Sequence, residues 1–150
     1  MMGGFTQIFL FLAFNLSLVL NNDKEITSKI TKIMPLIKIQ TSAPIAASDA
    51  QVNDLLKSLS AKLAKHVNKP ESYVMTSFEP QAKMTFGGTF EPVCYLEIKN
   101  IGTMSPAQTK AMSKDFCELI QMTLGVPQNR IYIEFNDAKG SMWGWNGSTF

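Results

Sequence analysis

The chain has 150 residues, of which 45% are hydrophobic and 17% charged, so it is long and apolar enough for one domain with its own core. Its net charge of +2 comes from scattered Lys and Arg, which excludes the basic stripe of a nucleic-acid binder. Two cysteines without a CxxC and a single histidine exclude a Cys/His metal cluster, and Cys94 and Cys117 read as small buried hydrophobes.

Residues 1–33 differ in composition from the rest of the chain. Ile8 to Leu20 is mostly apolar, too short to span a bilayer comfortably and of the length of a signal-peptide core. Yet Met1 to Gln7 carries no Lys or Arg, and Asn21-Asn22-Asp23 is not a small-x-small cleavage site. Lys24 to Ile33 is a polar, β-branched spacer. This N-terminal extension reads either as upstream sequence translated in frame or as a weak targeting segment. The sequence leaves cytoplasm and secretion open, and stable membrane insertion is not expected.

Met34-Pro35-Leu36-Ile37-Lys38-Ile39 has the form of a protein start. The distinction matters chemically. As a first residue, Pro35 carries a free secondary amine; as an internal residue its nitrogen is an amide with neither basicity nor an N–H.

From Pro35 onward the chain repeats itself 57 positions on. Pro35 matches Pro92, Ser48 matches Ser105, Gln51 matches Gln108 and Pro70 matches Pro127. Apolar positions share the same offset: Ile39 and Leu96, Leu55 and Met112, Leu59 and Phe116, Leu63 and Ile120, Val74 and Ile131. Each copy reads as strand, loop, helix, turn, strand. Ser48-Asp49-Ala50-Gln51 and Ser105-Pro106-Ala107-Gln108 are capping boxes that start the helices. Val52, Leu55, Leu56, Leu59 and Leu63 share one helical face, as do Met112, Phe116, Leu119, Ile120 and Leu124. Asn68 with Pro70, and Gly125 with Pro127, end the helices.

The strands alternate. Ile37 and Ile39, Cys94, Leu96 and Ile98, and Ile131, Ile133 and Phe135 fall on one face; Lys38, Tyr95, Glu97, Tyr132 and Glu134 fall on the other. Two βαβ units therefore predict an α+β fold with an α/β-type repeat: a four-stranded mixed sheet with two helices on one face. The second sheet face is neither core nor fully polar. With the aromatic tail of Trp143, Trp145 and Phe150, it points to burial against other subunits. His66 reads as a solvated helix residue.

Several further pieces complete a pattern: Asn68-Lys69-Pro70-Glu71-Ser72-Tyr73-Val74, Met84-Thr85-Phe86-Gly87-Gly88, Asn100-Ile101-Gly102, Asn129-Arg130-Ile131-Tyr132-Ile133 and Gly144-Trp145-Asn146-Gly147-Ser148-Thr149-Phe150. As a set, from Met34 to Phe150, they resemble the macrophage migration inhibitory factor and D-dopachrome tautomerase family. The resemblance implies a tautomerase-like domain over 34–150 that assembles as a homotrimer. It implies an isomerase, a keto–enol tautomerase of phenylpyruvate-like and dopachrome-like compounds, with no cofactor and no metal. Pro35 would be the catalytic base. Lys69 would meet the carboxylate of an enol or keto acid, and the Ile101 backbone would help hold it. Tyr132 and Trp145 would come from a neighbouring subunit as an aromatic wall. Glu134 stands where the family has a substrate-binding Asn, and Trp143 where it has a small apolar pocket residue. The carboxylate of Glu134 would weaken binding of an acid or pair with a lysine. Val93 stands in place of the first cysteine of the CxxC found in mammalian cytokine members, so thiol-oxidoreductase activity is not carried over. Two alternatives stay beside the enzyme: a cytokine-like ligand of a receptor, and a catalytically silent homologue with Pro35 blocked by residues 1–33.

Overall fold

The computed structural model describes residues 34–44 and 48–150. The apolar run Ile8 to Leu20 and the spacer after it lie outside the described residues. Among the described residues no helix is long and apolar enough to cross a membrane.

The elements obey the repeat. Strand β1 (Leu36–Thr41), helix α1 (Asp49–His66), a 3-10 turn (Glu71–Tyr73) and β2 (Met75–Glu79) form the first unit. Strand β3 (Cys94–Ile101), helix α2 (Pro106–Leu124), a 3-10 turn (Gln128–Arg130) and β4 (Ile131–Ala138) form the second. The sheet order is β2-β1-β3-β4. Within each unit the strands run parallel, Leu36 facing Met75 and Cys94 facing Ile131. The two units join through the antiparallel pair β1–β3, in which Leu36 faces Lys99 and Thr41 faces Cys94.

Local chemistry starts both helices in the same way. The Ser48 hydroxyl accepts the Gln51 N–H, while the Gln51 side-chain carbonyl accepts the Ser48 N–H at 2.9 Å. Ser105 and Gln108 repeat this at the head of α2, where Pro106 fills the first turn. The helices end differently. Gly125 closes α2 in the left-handed region at φ +67°. After α1, Asn68 adopts φ +53°, a conformation asparagine tolerates better than most residues.

Leu55, Leu59 and Leu63 of α1 and Met112, Phe116 and Ile120 of α2 pack onto Ile37, Ile39, Leu96 and Ile98 of the sheet. These side chains are the core, on the face that the alternation assigned to the helices. Cys94 is buried and Cys117 half-buried, both as free thiols. Burial pushes Cys94 up to about 12 and Cys117 upward as well, so neither is a thiolate at neutral pH.

The opposite sheet face carries polar side chains. Lys99 pairs with Glu97 at 2.8 Å, Lys38 lies 3.7 Å from Glu79, and the Tyr95 hydroxyl donates to the Glu134 carboxylate. That bond is the main reason the Tyr95 phenol is raised to about 12.

His66 is not the solvated residue its position suggested. Its Nε2 lies 2.8 Å from the Asp115 carboxylate, its ring meets Phe116 edge-on at 5.9 Å, and its carbonyl accepts the Gln108 side-chain N–H. It ties α1 to α2. The tail is also ordered: a 3-10 turn (Gly140–Met142) leads into a hairpin of β5 (Gly144–Trp145) and β6 (Ser148–Thr149). Asn146 and Gly147 both have positive φ and make the tight turn. Gly140 is required there, since a Cβ would sit 2.9 Å from the Phe150 carbonyl oxygen.

Candidate functional site

Two of the residues singled out in the sequence, Lys69 and Ile101, line one cavity, and Pro35 lies at the head of the strand that pairs with the one carrying Ile101. Pro35 is buried at the head of β1, and its carbonyl accepts the Met75 N–H at 3.0 Å. Leu36 faces Lys99, so continuing the antiparallel register by one position sets Pro35 opposite Asn100. Directly opposed residues point to the same face. Both are buried, on the side toward the helices.

Beside them lies a cavity of about 150 Å³ lined by Val67, Lys69, Asn100, Ile101, Met104 and Gln108. Lys69 is held there by backbone geometry. Asn68 turns left-handed, and the Lys69 N–H donates to the Ala64 carbonyl at 2.8 Å, wrapping the chain over the end of α1. Partial burial lowers the Lys69 ammonium below the ordinary lysine range. It makes no ion pair with any of the described residues. The arrangement suits an anionic ligand: a cation on the rim, an apolar wall from Ile101 and Met104, and room for a few heavy atoms.

The other predicted residues lie elsewhere on the same protomer. Tyr132 is 66% exposed on β4, its ring 4.9 Å from that of Phe86, which rests on the Arg130 guanidinium at 5.4 Å. Glu134 projects from the open sheet face and is bonded to Tyr95, where a lysine partner was one expectation. Trp145 is expected from the resemblance on a neighbouring subunit's wall. Within this protomer it meets Tyr73 edge-on at 6.1 Å and stacks on Phe150 at 6.0 Å. It therefore joins the segment just after Lys69 in the same chain. Tyr73, Phe150 and Asn100 escaped the sequence reading of the site. Tyr73 was visible as the aromatic four residues after Lys69; Asn100 becomes visible only through strand register.

The repeat supplies an internal control for this corner. The positions equivalent to Pro35, Asn100 and Lys69 are Pro92, Ala43 and Val126. Ala43 is 3% exposed and Val126 0%, so both equivalents are buried apolar side chains. The first corner has the same path and substitutes two polar side chains.

The family model described as macrophage migration inhibitory factor matches residues 34–150. The macrophage migration inhibitory factor homologue of Trichuris trichiura is 37% identical over 117 residues, which are 78% of this chain and 100% of that protein. The Xenopus laevis macrophage migration inhibitory factor is 33% identical over 117 residues, covering 99% of its length. Among solved structures, the homologue from Prochlorococcus marinus is 49% identical, covers 77% of this chain and 98% of its own, and superposes with a TM-score of 0.71. Residues 34–150 thus correspond to nearly the whole length of these relatives, and the chain belongs to the macrophage migration inhibitory factor family.

Proposed function

We propose that this protein is a keto–enol tautomerase whose base is the amine of Pro35, released when the Met34–Pro35 bond is hydrolysed. The observation that carries the reading is the corner itself. Lys69 and Ile101 line one small cavity with Asn100, and the β1–β3 register continues from Leu36–Lys99 toward Pro35 and Asn100, in a chain whose family membership is shown.

Hydrolysis adds water across the Met34–Pro35 amide, leaving a carboxylate on Met34 and a secondary amine on Pro35. A buried amine is disfavoured as an ammonium, and the Lys69 cation pushes the same way, so the amine is neutral and basic near physiological pH. It takes a proton from the carbon alpha to the substrate carbonyl and returns it at oxygen, or the reverse. Ketone and enol are isomers, so no electrons are exchanged. Lys69 holds the substrate carboxylate away from the reacting carbon, and the Ile101 backbone borders the same space.

In this reading residues 34–150 are the tautomerase domain and residues 1–33 an extension that keeps Pro35 acylated. Tyr132 and Glu134 are exposed on β4 and serve the cavity of a neighbouring copy in a homotrimer. Trp145, which meets Tyr73 and Phe150 in its own protomer, joins Tyr132 in the aromatic wall offered to that neighbouring copy. The substrate is a phenylpyruvate-like enol or keto acid. The test is enol absorbance decay with protein beginning at Pro35, compared with Pro35→Gly. Loss of about a hundredfold or more in kcat/KM with folding retained is expected, the range attributed to general acid–base catalysis. Unchanged activity in Pro35→Gly would mean that the reaction does not need proline's secondary amine.

A further inference from the structure

We propose that Asn100 is a positioning residue for the freed Pro35 amine, its side-chain carbonyl accepting the amine N–H and thereby aiming the nitrogen lone pair at the cavity. The inference rests on the reading of Pro35 as an N-terminal base.

Four observations converge on it. Asn100 is 4% exposed, and its Oδ1 is buried with no hydrogen-bond partner; no other side-chain N or O among the described residues is in that state. Such an orphan is costly and calls for a reason. Its orientation is fixed, because Nδ2 donates to the Gly102 carbonyl at 3.1 Å, so exchanging O and N would abolish that bond. Strand register sets Asn100 opposite Pro35 on the same face. Finally, the fold itself does not ask for a polar residue here, since Ala43 occupies the equivalent corner of the other unit at 3% exposure.

The missing donor is supplied by chemistry. In the 150-residue chain the Pro35 nitrogen is a tertiary amide with no hydrogen. After hydrolysis the neutral amine carries one N–H and the ammonium two. The orphan acceptor is then matched by a donor one strand away, and the remaining valence of the neutral nitrogen, its lone pair, is left for the substrate.

Other charged groups around this corner are accounted for. Lys69 lines the cavity. Lys99, the residue before Asn100, is paired with Glu97 at 2.8 Å. Asp137, in register with Asn100 on β4, accepts the Met104 N–H at 3.1 Å. Tyr73 precedes β2, and His66 at the end of α1 is bound to Asp115 of α2.

The experiment titrates the amine directly. Protein beginning at Pro35 is labelled with 15N-proline, and its 15N shifts are followed with pH in the absence of substrate. The six internal prolines are amides and do not titrate. Asn100→Asp sets a carboxylate against the ammonium and raises the midpoint by about one unit or more; Asn100→Leu removes the acceptor and lowers it. Asn100→Ser keeps a smaller polar group and gives an intermediate value, should Leu or Asp compromise folding. In the tautomerase assay Asn100→Leu lowers kcat about tenfold with KM within about threefold, the pattern of a misdirected base. Midpoints for all variants within roughly 0.2 unit of the unsubstituted protein, the error of such a titration, would overturn the proposal. Midpoints that shift in a protein without tautomerase activity would uphold the Asn100–Pro35 contact and reject the catalytic reading.

Discussion

The two βαβ units take one path and part at one corner. Both start their helices with a Ser–Gln capping box, and both leave them through a proline-led 3-10 turn, Glu71–Tyr73 and Gln128–Arg130. In the second unit the equivalent positions hold Pro92, Ala43 and Val126, the last two buried apolar side chains. In the first, Asn100 and Lys69 line a cavity of about 150 Å³. Burying a valine fully is worth about 1.5–3 kcal/mol. The first unit forgoes that packing and gains a cation and an open space. The comparison teaches how one backbone can hold a buried apolar corner and a polar one beside a cavity.

The comparison breaks most sharply if the corners are exchanged. Val126→Lys places an ammonium with no partner in the core, and the 150-residue protein is expected to lose about 3–5 kcal/mol in urea unfolding or not to fold. Lys69→Val is expected to leave stability within about 1 kcal/mol, since Lys69 is half-exposed and makes no ion pair with the described residues. Comparable losses from both would mean that the corners are energetically alike.

On activity, Lys69→Ala in protein beginning at Pro35 is expected to raise KM about tenfold and change kcat by less than about threefold, because its proposed partner is a carboxylate remote from the reacting carbon. A fall confined to kcat would assign Lys69 to the chemical step instead. The helix starts are expected to be equal where the corners are not. Ser48→Ala and Ser105→Ala should each cost about 1 kcal/mol by chemical denaturation. A difference of more than about 1 kcal/mol between them would show that the units are not equivalent in their scaffolding.

The smallest effect is pH-dependent and concerns the clasp between the units. The hydrogen bond from His66, with Lys62 at 3.8 Å, holds the Asp115 carboxyl below its ordinary range. The folded protein therefore binds this proton less readily than the unfolded chain. The contribution is complete above the ordinary carboxylate value near pH 4 and fades as pH falls through the lower folded value. Asp115→Asn should cost roughly half a kcal/mol at pH 7, with solvent screening included, and nothing in strong acid. A cost that persists unchanged in strong acid would assign it to packing.

Much of the fold was legible because the duplicated signals are local. Capping boxes, helix stops and strand alternation each act within a few residues, and the repeat checks each against its copy. His66 was misread because its partners, Asp115 and Phe116, lie on the other helix, beyond any periodicity. The hairpin after Gly140 was missed because two-residue strands leave no alternation to see; the Asn146-Gly147 pair was the one local signal. Lys69, Pro35 and Ile101 were legible through the resemblance, and Lys69 and Ile101 line one cavity. Asn100 was not, since its neighbour Pro35 lies 65 positions away in sequence and only the β1–β3 register joins them.

The direct measurement compares the intact 150-residue protein with protein beginning at Pro35 in one enol–keto absorbance assay, with mass spectrometry confirming each N-terminus. An acylated proline nitrogen has its lone pair in amide resonance and cannot accept a proton. The shorter protein is therefore expected to tautomerise a phenylpyruvate-like substrate, and the intact chain to do so at least about a hundredfold more slowly. Equal rates with an intact Met34–Pro35 bond would contradict Pro35 as the base.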